Sequence, residues 1–206
     1  MDDHHDRLPS AGGRSRQEDT IVETLFVPET IRYTGDQLCS HWAYEQYDLM
    51  GDSIVSFIGP CDVGKEKLVD LADRKRNKII YSESMLHFIV EHFDLDLEKT
   101  ILRQKLLVVV LMEKLTNRLH SFVIQRFGDD LFDGDGKLTV SIATLTPVST
   151  KIHTGINISS QNTPVKTKGL MDYGLDPREV AEAVMNQYRL ELMQTSVARA
   201  KVRGLP

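Results

Sequence analysis

The chain is short of the features that would place a protein in a membrane or outside the cell. It carries only two cysteines, Cys39 and Cys61, in unrelated surroundings and not as a CxxC pair, so no disulfide framework is expected. A reducing, cytoplasmic setting is the expectation. The longest wholly apolar run, Leu106 to Met112, is bracketed by Lys105 and Glu113 and falls well under the roughly 18 residues that span a bilayer. The opening stretch MDDHHDRLPSAGGRSRQED has no apolar segment, so no signal peptide is expected. Positive charge is in deficit: 25 Lys and Arg against 30 Asp and Glu leave a net charge of −5. No bulk field draws such a chain to nucleic acid or anionic lipid, and neither is an expected partner.

What remains is the material of one globular domain, 206 residues of which 41% are hydrophobic. Residues 1–20 are polar and offer nothing to bury, so they are expected to form a flexible tail, with His4 and His5 solvated rather than on a metal. Residues 21–196 carry the pattern of a single packed domain, and 197–206 form a basic end with Arg199, Lys201 and Arg203, read as solvated. IVETLFV and TIRYTG alternate like strands. Asp36 is placed to cap a helix with Leu38, Trp42, Glu45 and Leu49 near one face, closed by Gly51. SIVSFIG is dense in β-branched and aromatic residues and reads as a buried strand ending at Gly59-Pro60. Ser82 or Ser84 is expected to open a helix with Met85, Phe88, Ile89 and Phe93 inward, and a longer buried helix is expected within Leu95 to Leu119. Hairpin grammar follows: SFVIQRF, DDLFDGDG as turn material, KLTVSIATLTPV and KIHTGINIS. Asp176-Pro177-Arg178-Glu179 is a helix start, with Val180, Val184, Tyr188 and Leu192 at four-residue steps and an end near residue 195. The expected architecture is α+β, a mixed and largely antiparallel sheet with packed helices.

Several motifs invite a chemical reading. Gly59 to Lys65 nearly spells a phosphate-binding loop, but Glu66 stands where a hydroxyl would hold magnesium, and the surrounding order lacks repeated βα units. Asp133-Gly134-Asp135-Gly136 resembles part of a calcium loop, yet that register puts Leu131 and Ile142 at the first and last ligand positions, so a hairpin turn is expected and no metal. His87 and Glu91 are read as neighbours on one helix face, either a satisfied hydrogen bond beside the core or a pair lining a ligand pocket. Cys39 and His41 diverge too far on a helix to act as nucleophile and base. Cys61, just beyond a buried strand, lines a cleft or simply packs.

The stretch QRFGDDLFDGDGKLTVSIAT, followed by KIHTGINIS, resembles the central hairpins of the biotin and lipoate protein ligase superfamily, whose core is shared with class II aminoacyl-tRNA synthetases. The matching residues are Asp129-Asp130, Gly136-Lys137-Leu138 and Gly155-Ile156-Asn157-Ile158. YTGDQL, GDSIVSFIG, MLHFIVEHF and GDDLF with KLTVSIAT resemble still more closely an uncharacterised archaeal and bacterial family that carries only a domain-of-unknown-function label. The ligase resemblance implies that Lys137 lies beside a carboxyl or acyl carbon, where its ammonium stabilises charge on the carbonyl oxygen. It implies that Asp129 or Asp130 orients the site and that His153 and Asn157 stand on the neighbouring strand. Arg103 and Arg126 are candidate anchors for an anionic group, and Ser141, His87 and Cys61 candidate pocket residues. ATP with magnesium is the cofactor such ligases use, but neither of their glycine- and arginine-rich loops occurs between Gly51 and Arg103, and no cysteine follows KIHTGINIS for a thioester route. The expectation is a ligase-like or acyl-transfer-like enzyme on a small carboxylate or acyl metabolite; the alternatives are a small-molecule-binding protein without chemistry and, last, a nucleotide hydrolase through Gly59 to Lys65. An exposed edge strand also gives a homodimer a surface.

Overall fold

The structure, a computed structural model, describes residues 22–119 and 123–205. The tail expected over 1–20 lies outside the described residues. The elements in chain order are β1 (Glu23–Val27), α1 (Trp42–Tyr47), β2 (Ser53–Val63), α2 (Leu71–Lys75), β3 (Ile80–His92), α3 (Leu97–Thr116), β4 (Ile124–Phe127), β5 (Asp130–Asp133), β6 (Gly136–Lys137), β7 (Thr139–Leu145), β8 (Thr150–Asn157) and α4 (Pro177–Lys201). Five strands form one sheet in the order β1-β2-β3-β8-β7, with β1 parallel to β2 and every other pairing antiparallel. A small sheet, β4-β5-β6, stands beside it. The mixed, largely antiparallel α+β architecture is the one expected.

β3 is where the sequence misleads most. The expected helix from Ser82 or Ser84 is instead a strand of 13 residues at the centre of the sheet. Leu86, Phe88 and Val90 point to one face, where they meet Leu107 and Leu111 of α3 and Val180, Val184 and Tyr188 of α4. Met85 and Ile89 point to the other, against Val55, Phe57 and Tyr33. Both faces are buried, so the period of two that marks a half-exposed strand disappears, and the apolar residues fall at helical spacing by coincidence. Each such side chain is worth about 1.5–3 kcal/mol on burial, which outweighs a local preference of a few tenths.

Other boundaries shift for local reasons. The single helix expected from Asp36 is a 3-10 turn at Asp36–Leu38 followed by α1, because His41 adopts a left-handed conformation with φ of 60° and its N–H donates to Glu91 Oε1 at 2.8 Å. Asp36 does not cap; it accepts from Lys67 Nζ and Thr34 Oγ1. TIRYTG makes only an isolated bridge, Tyr33 with Cys61. β2 runs on past Gly59-Pro60 to Val63 through a bulge between Gly59 and Cys61, so most of the stretch resembling a phosphate loop is paired strand, and Lys65 opens a 3-10 turn. A Cβ on Gly59 would stand 1.9 Å from the Ile31 carbonyl oxygen, which is why glycine is required there. DDLFDGDG is mostly strand: β5 takes Asp130–Asp133, and the turn is left to Gly134, at φ of 58°, and Asp135.

α3 falls within its expected span, capped by Asp96, whose carboxylate accepts from the Lys99 N–H at 2.9 Å. α4 starts as expected, with Asp176 accepting from the Glu179 N–H and Pro177 in the first turn, but runs to Lys201, beyond the expected end near 195. Nothing between 195 and 201 breaks a helix, and the segment expected as a separate basic end begins as its last turns. Tyr188 pins α4 to the sheet: its hydroxyl donates to His92 Nε2 at 2.9 Å, and His92 Nδ1–H donates to Asp52 Oδ2 at 2.6 Å. Burial lowers the His92 pKa, with Asp52 opposing, so the imidazole holds this chain in its neutral form.

Candidate functional site

The face of the sheet opposite α3 and α4 is covered by residues 28–50 and 64–79, and between this cover and the β5–β6 hairpin lies a cavity of about 570 Å³. Its walls combine apolar side chains, among them Leu68, Met85, Phe132 and Ile142, with a few polar groups. That is the usual composition of a small-molecule site.

Lys137 and Asp130 form the charged end. They lie on the antiparallel β5–β6 hairpin, whose Gly134-Asp135 turn folds them together, and Lys137 Nζ approaches Asp130 Oδ2 to 2.6 Å. The second oxygen, Asp130 Oδ1, is buried and has no hydrogen-bond partner among the described residues. Burial pushes the Asp130 carboxyl above the ordinary carboxylate range, and Lys137 pulls it part of the way back. Asn157 braces the pair from β8, its Nδ2 donating to the Lys137 carbonyl at 3.3 Å. Gly136 is needed beside it, since a Cβ there would stand 2.7 Å from Lys168 Cγ.

Asp129 takes a different part. Its Oδ2 accepts from Gln104 Nε2 at 3.0 Å, and the same amide donates to Ser141 Oγ at 3.0 Å, tying the hairpin to α3 and β7. Ser141 and Asp129 both also reach the cavity wall. His153 forms another part of that wall, with the Tyr33 ring stacked on it at 3.7 Å between centroids and 18° between planes. Behind it, fully buried, His87 Nδ1 meets His153 Nε2 at 3.0 Å.

Lys137, Asp129, Asp130, Ser141, His153 and Asn157 therefore converge on one cavity. The other candidates do not. His87 stands behind His153, on a strand and not a helix, and is bonded to it and to the Gly59 carbonyl instead of to Glu91. Cys61 is in the core under Tyr33, and burial, then Asp62, pushes its thiol up to about 12, so it is an inert packing residue. Arg103 is held by Asp94 at 2.8 Å near the start of α3, and Arg126 sits on the exposed side of β4 with its guanidinium on the Gly128 carbonyl. Sequence reasoning missed Tyr33 and Lys151; Glu91, read there as the neighbour of His87, forms with Lys151 a fully buried ion pair of 3.0 Å that joins β3 to β8, with Ser149 Oγ donating to Glu91 at 2.7 Å. Burial lowers the Lys151 pKa and Glu91 opposes the shift. Pairing partners 60 residues apart leave no local trace.

A family model described as a domain of unknown function, DUF366, matches residues 22–203. An uncharacterized protein of Methanocaldococcus jannaschii is 40% identical over 178 residues, covering 83% of this chain and 80% of that protein. Among solved structures, a protein of unknown function from Pyrococcus horikoshi superposes with a TM-score of 0.84 at 36% identity, over 90% of this chain and all of that one. A biotin protein ligase mutant from Aquifex aeolicus in complex with biotin gives a TM-score of 0.56 at 13% identity, over 84% of this chain and 70% of that one. A lipoate-bound Plasmodium falciparum protein, LipL1, gives 0.56 at 12% identity, over 84% of this chain and 63% of that one. These last two likenesses are of fold. No helix among the described residues is long and apolar enough to cross a membrane.

Proposed function

The chain belongs to the DUF366 family, and on that premise we propose a ligase-like or acyl-transfer-like enzyme that takes a small carboxylate or acyl metabolite into the cavity, with Lys137 at the reactive centre. One observation carries the reading: a lysine ammonium stands on the cavity wall, fixed by a carboxylate 2.6 Å away whose other oxygen is buried without a partner among the described residues. A cation held this way meets the negative charge that grows on a carbonyl oxygen under attack, and being pre-positioned it needs no reorganisation when that charge appears. Asp130 is the positioning residue, Asn157 braces the lysine from behind, and Asp129 anchors the hairpin through Gln104. The fold likeness to a biotin protein ligase in complex with biotin and to a protein in complex with lipoate supports a small acid as ligand.

The residues present do not form a triphosphate cradle. The lysines lining the cavity besides Lys137 are each matched to a carboxylate: Lys67 to Asp36, Lys78 to Asp73 and Lys166 to Asp135. ATP and magnesium accordingly carry no step in this reading. The same absence of free cations, together with the burial of Cys61, favours the second reading, a non-catalytic small-molecule-binding protein on this scaffold.

Thermal-shift titration against biotin, lipoate, acyl thioesters and ATP with magnesium, followed by product analysis of each hit, separates the two. Under the first reading Lys137→Ala lowers turnover at least a hundredfold while changing affinity far less. Asp130→Asn lowers turnover in the same direction. A ligand bound equally by wild type and Lys137→Ala, with no product formed by either, refutes catalysis and leaves the binding reading. Pairing of two copies along the edge strand β7 belongs to the same proposal and is read by sedimentation.

A further inference from the structure

Two hydrogen bonds settle where the protons lie on the histidines behind the cavity wall. His87 Nε2 is 3.2 Å from the Gly59 carbonyl oxygen, which can only accept, so Nε2 carries a proton. Burial holds the His87 pKa down at about 4, so at neutral pH the ring has that one proton and a bare Nδ1. This Nδ1 lies 3.0 Å from His153 Nε2, which therefore donates to it. His153 is neutral too, since burial and then the adjacent His87 keep its pKa far down. Its only proton is committed to His87, and its Nδ1 is left as a lone-pair acceptor.

No donor among the described residues reaches His153 Nδ1; the hydrogen bond of the ring is the one to His87. Among the described residues, the side-chain atoms both shut away and without a partner are Ser53 Oγ, Asp94 Oδ1 and Asp130 Oδ1. His153 Nδ1 is not one of them, so it keeps some access, and His153, 2% exposed, lines the cavity. The ring is also unable to turn and exchange its nitrogens: Tyr33 lies stacked on it at 3.7 Å, and rotation would break the bond to His87.

We infer that His153 Nδ1 is a specificity element of this site, accepting a hydrogen bond from an N–H or O–H group in the body of the ligand. The ligand is then a small carboxylic acid or its acyl derivative that carries an amide, ureido or hydroxyl donor, and not a plain alkyl acid. A fixed neutral acceptor also repels a carboxylate oxygen, so it sets polarity: donor toward His153, carboxyl toward Lys137. This inference rests on the reading of the cavity as the ligand site with Lys137 at its reacting end. Its energetic basis is the asymmetry of hydrogen bonding, in which covering an acceptor without pairing it costs more than the bond itself returns.

The test uses the whole chain labelled with nitrogen isotope at histidine. Its long-range proton–nitrogen spectrum at neutral pH is expected to show His153 protonated on Nε2 and bare on Nδ1. The probes are desthiobiotin, N-acetylaminocaproate and hydroxynonanoate, each against its N- or O-methylated counterpart, with nonanoate as the alkyl control. At least one donor-bearing acid is expected to bind about tenfold more tightly than its methylated counterpart and to move the His153 Nδ1 resonance, which nonanoate leaves in place. His153→Phe keeps the stack on Tyr33 and is expected to erase the preference; if that variant does not fold, the spectrum of the wild type decides. A proton found on His153 Nδ1, or a panel in which no donor-bearing acid is preferred over its counterpart, overturns the inference. If the preference persists in Lys137→Ala with affinity for the carboxylate unchanged, the assignment of the reacting end fails while the role of His153 stands.

Discussion

Lowering the pH from 7 toward 4 should destabilise this protein through its buried histidines. His87 is fully buried, and its pKa falls from the ordinary 6.5 to about 4 because burial penalises the imidazolium more than the Gly59 carbonyl supports it. Between these values the unfolded chain binds a proton that the folded one refuses, so stability rises with pH through this window and is fully present above about 6.5. At about 1.4 kcal/mol per pH unit, the proton refused by His87 alone removes about 3 kcal/mol between pH 6.5 and 4. His153 and His92, whose pKa values are also lowered by burial, act in the same direction. Urea unfolding followed by the fluorescence of Trp42 at half-unit steps of pH measures this. With a slope of about 2 kcal/mol per molar for a domain of this size, the midpoint is expected to fall by roughly 1.5 M. Asp52 and Asp94, whose pKa values lie below the ordinary carboxylate range, withdraw their stabilisation only at lower pH. A midpoint that stays level from pH 6.5 to 4.5 and drops only below 4 would refute the assignment of neutral, proton-refusing histidines behind the cavity.

Substitutions at three further places test the packing that holds the fold. Lys151→Met strands the buried Glu91 carboxylate and is expected to cost about 3–5 kcal/mol, whereas Lys151→Met with Glu91→Leu recovers only part of the loss, because the His41 N–H and the Ser149 hydroxyl lose their acceptor; equilibrium unfolding of the single and double variants checks both. Gly59→Ala drives a Cβ into the Ile31 carbonyl oxygen, and a loss of more than about 2 kcal/mol is expected, read as a fall in melting temperature with the Tyr33–His153 stack disturbed. Asp176→Ala removes the cap on the Glu179 N–H and is expected to cost about 1 kcal/mol in the same assay, leaving ligand binding at Lys137 untouched.

What could be read from the residues, and what could not, follows from the range of the forces involved. The start of α4 is set by local signals, an aspartate cap and a proline in the first turn, and was legible; α3 is read from its length and flanking charges, not from its Asp96 cap. Lys137, Asp129 and Asp130 are named only through the resemblance to the ligases; that Asp130 and not Asp129 is the partner of Lys137 follows from the β5–β6 hairpin, which a reading of DDLFDGDG as turn material does not contain. β3 was not legible, since burial on both faces removes the alternation that marks a strand. The same error carried His87 and Glu91 onto a helix as mutual partners. They do share a face of the strand, but each looks to β8: His87 meets His153, and Glu91 meets Lys151. Tyr33 escaped notice because its role depends on a short parallel pairing beside β2, with the N–H of Tyr33 donating to the Pro60 carbonyl, and nothing in TIRYTG announces that.

β3 also constrains how the gene can change length. Its residues serve two environments in strict alternation, Leu86, Phe88 and Val90 toward the helices and Met85, His87, Ile89 and Glu91 toward the cover and cavity. One codon inserted or deleted between 85 and 91 would exchange the two sets, pushing an imidazole and a carboxylate into the helical layer and three aliphatic or aromatic groups onto the ligand side. The bulge between Gly59 and Cys61 shows where β2 already absorbs a break in register. Length variation among relatives is therefore expected to gather at that bulge and in the cover over residues 64–79, and to spare the seven central positions of β3.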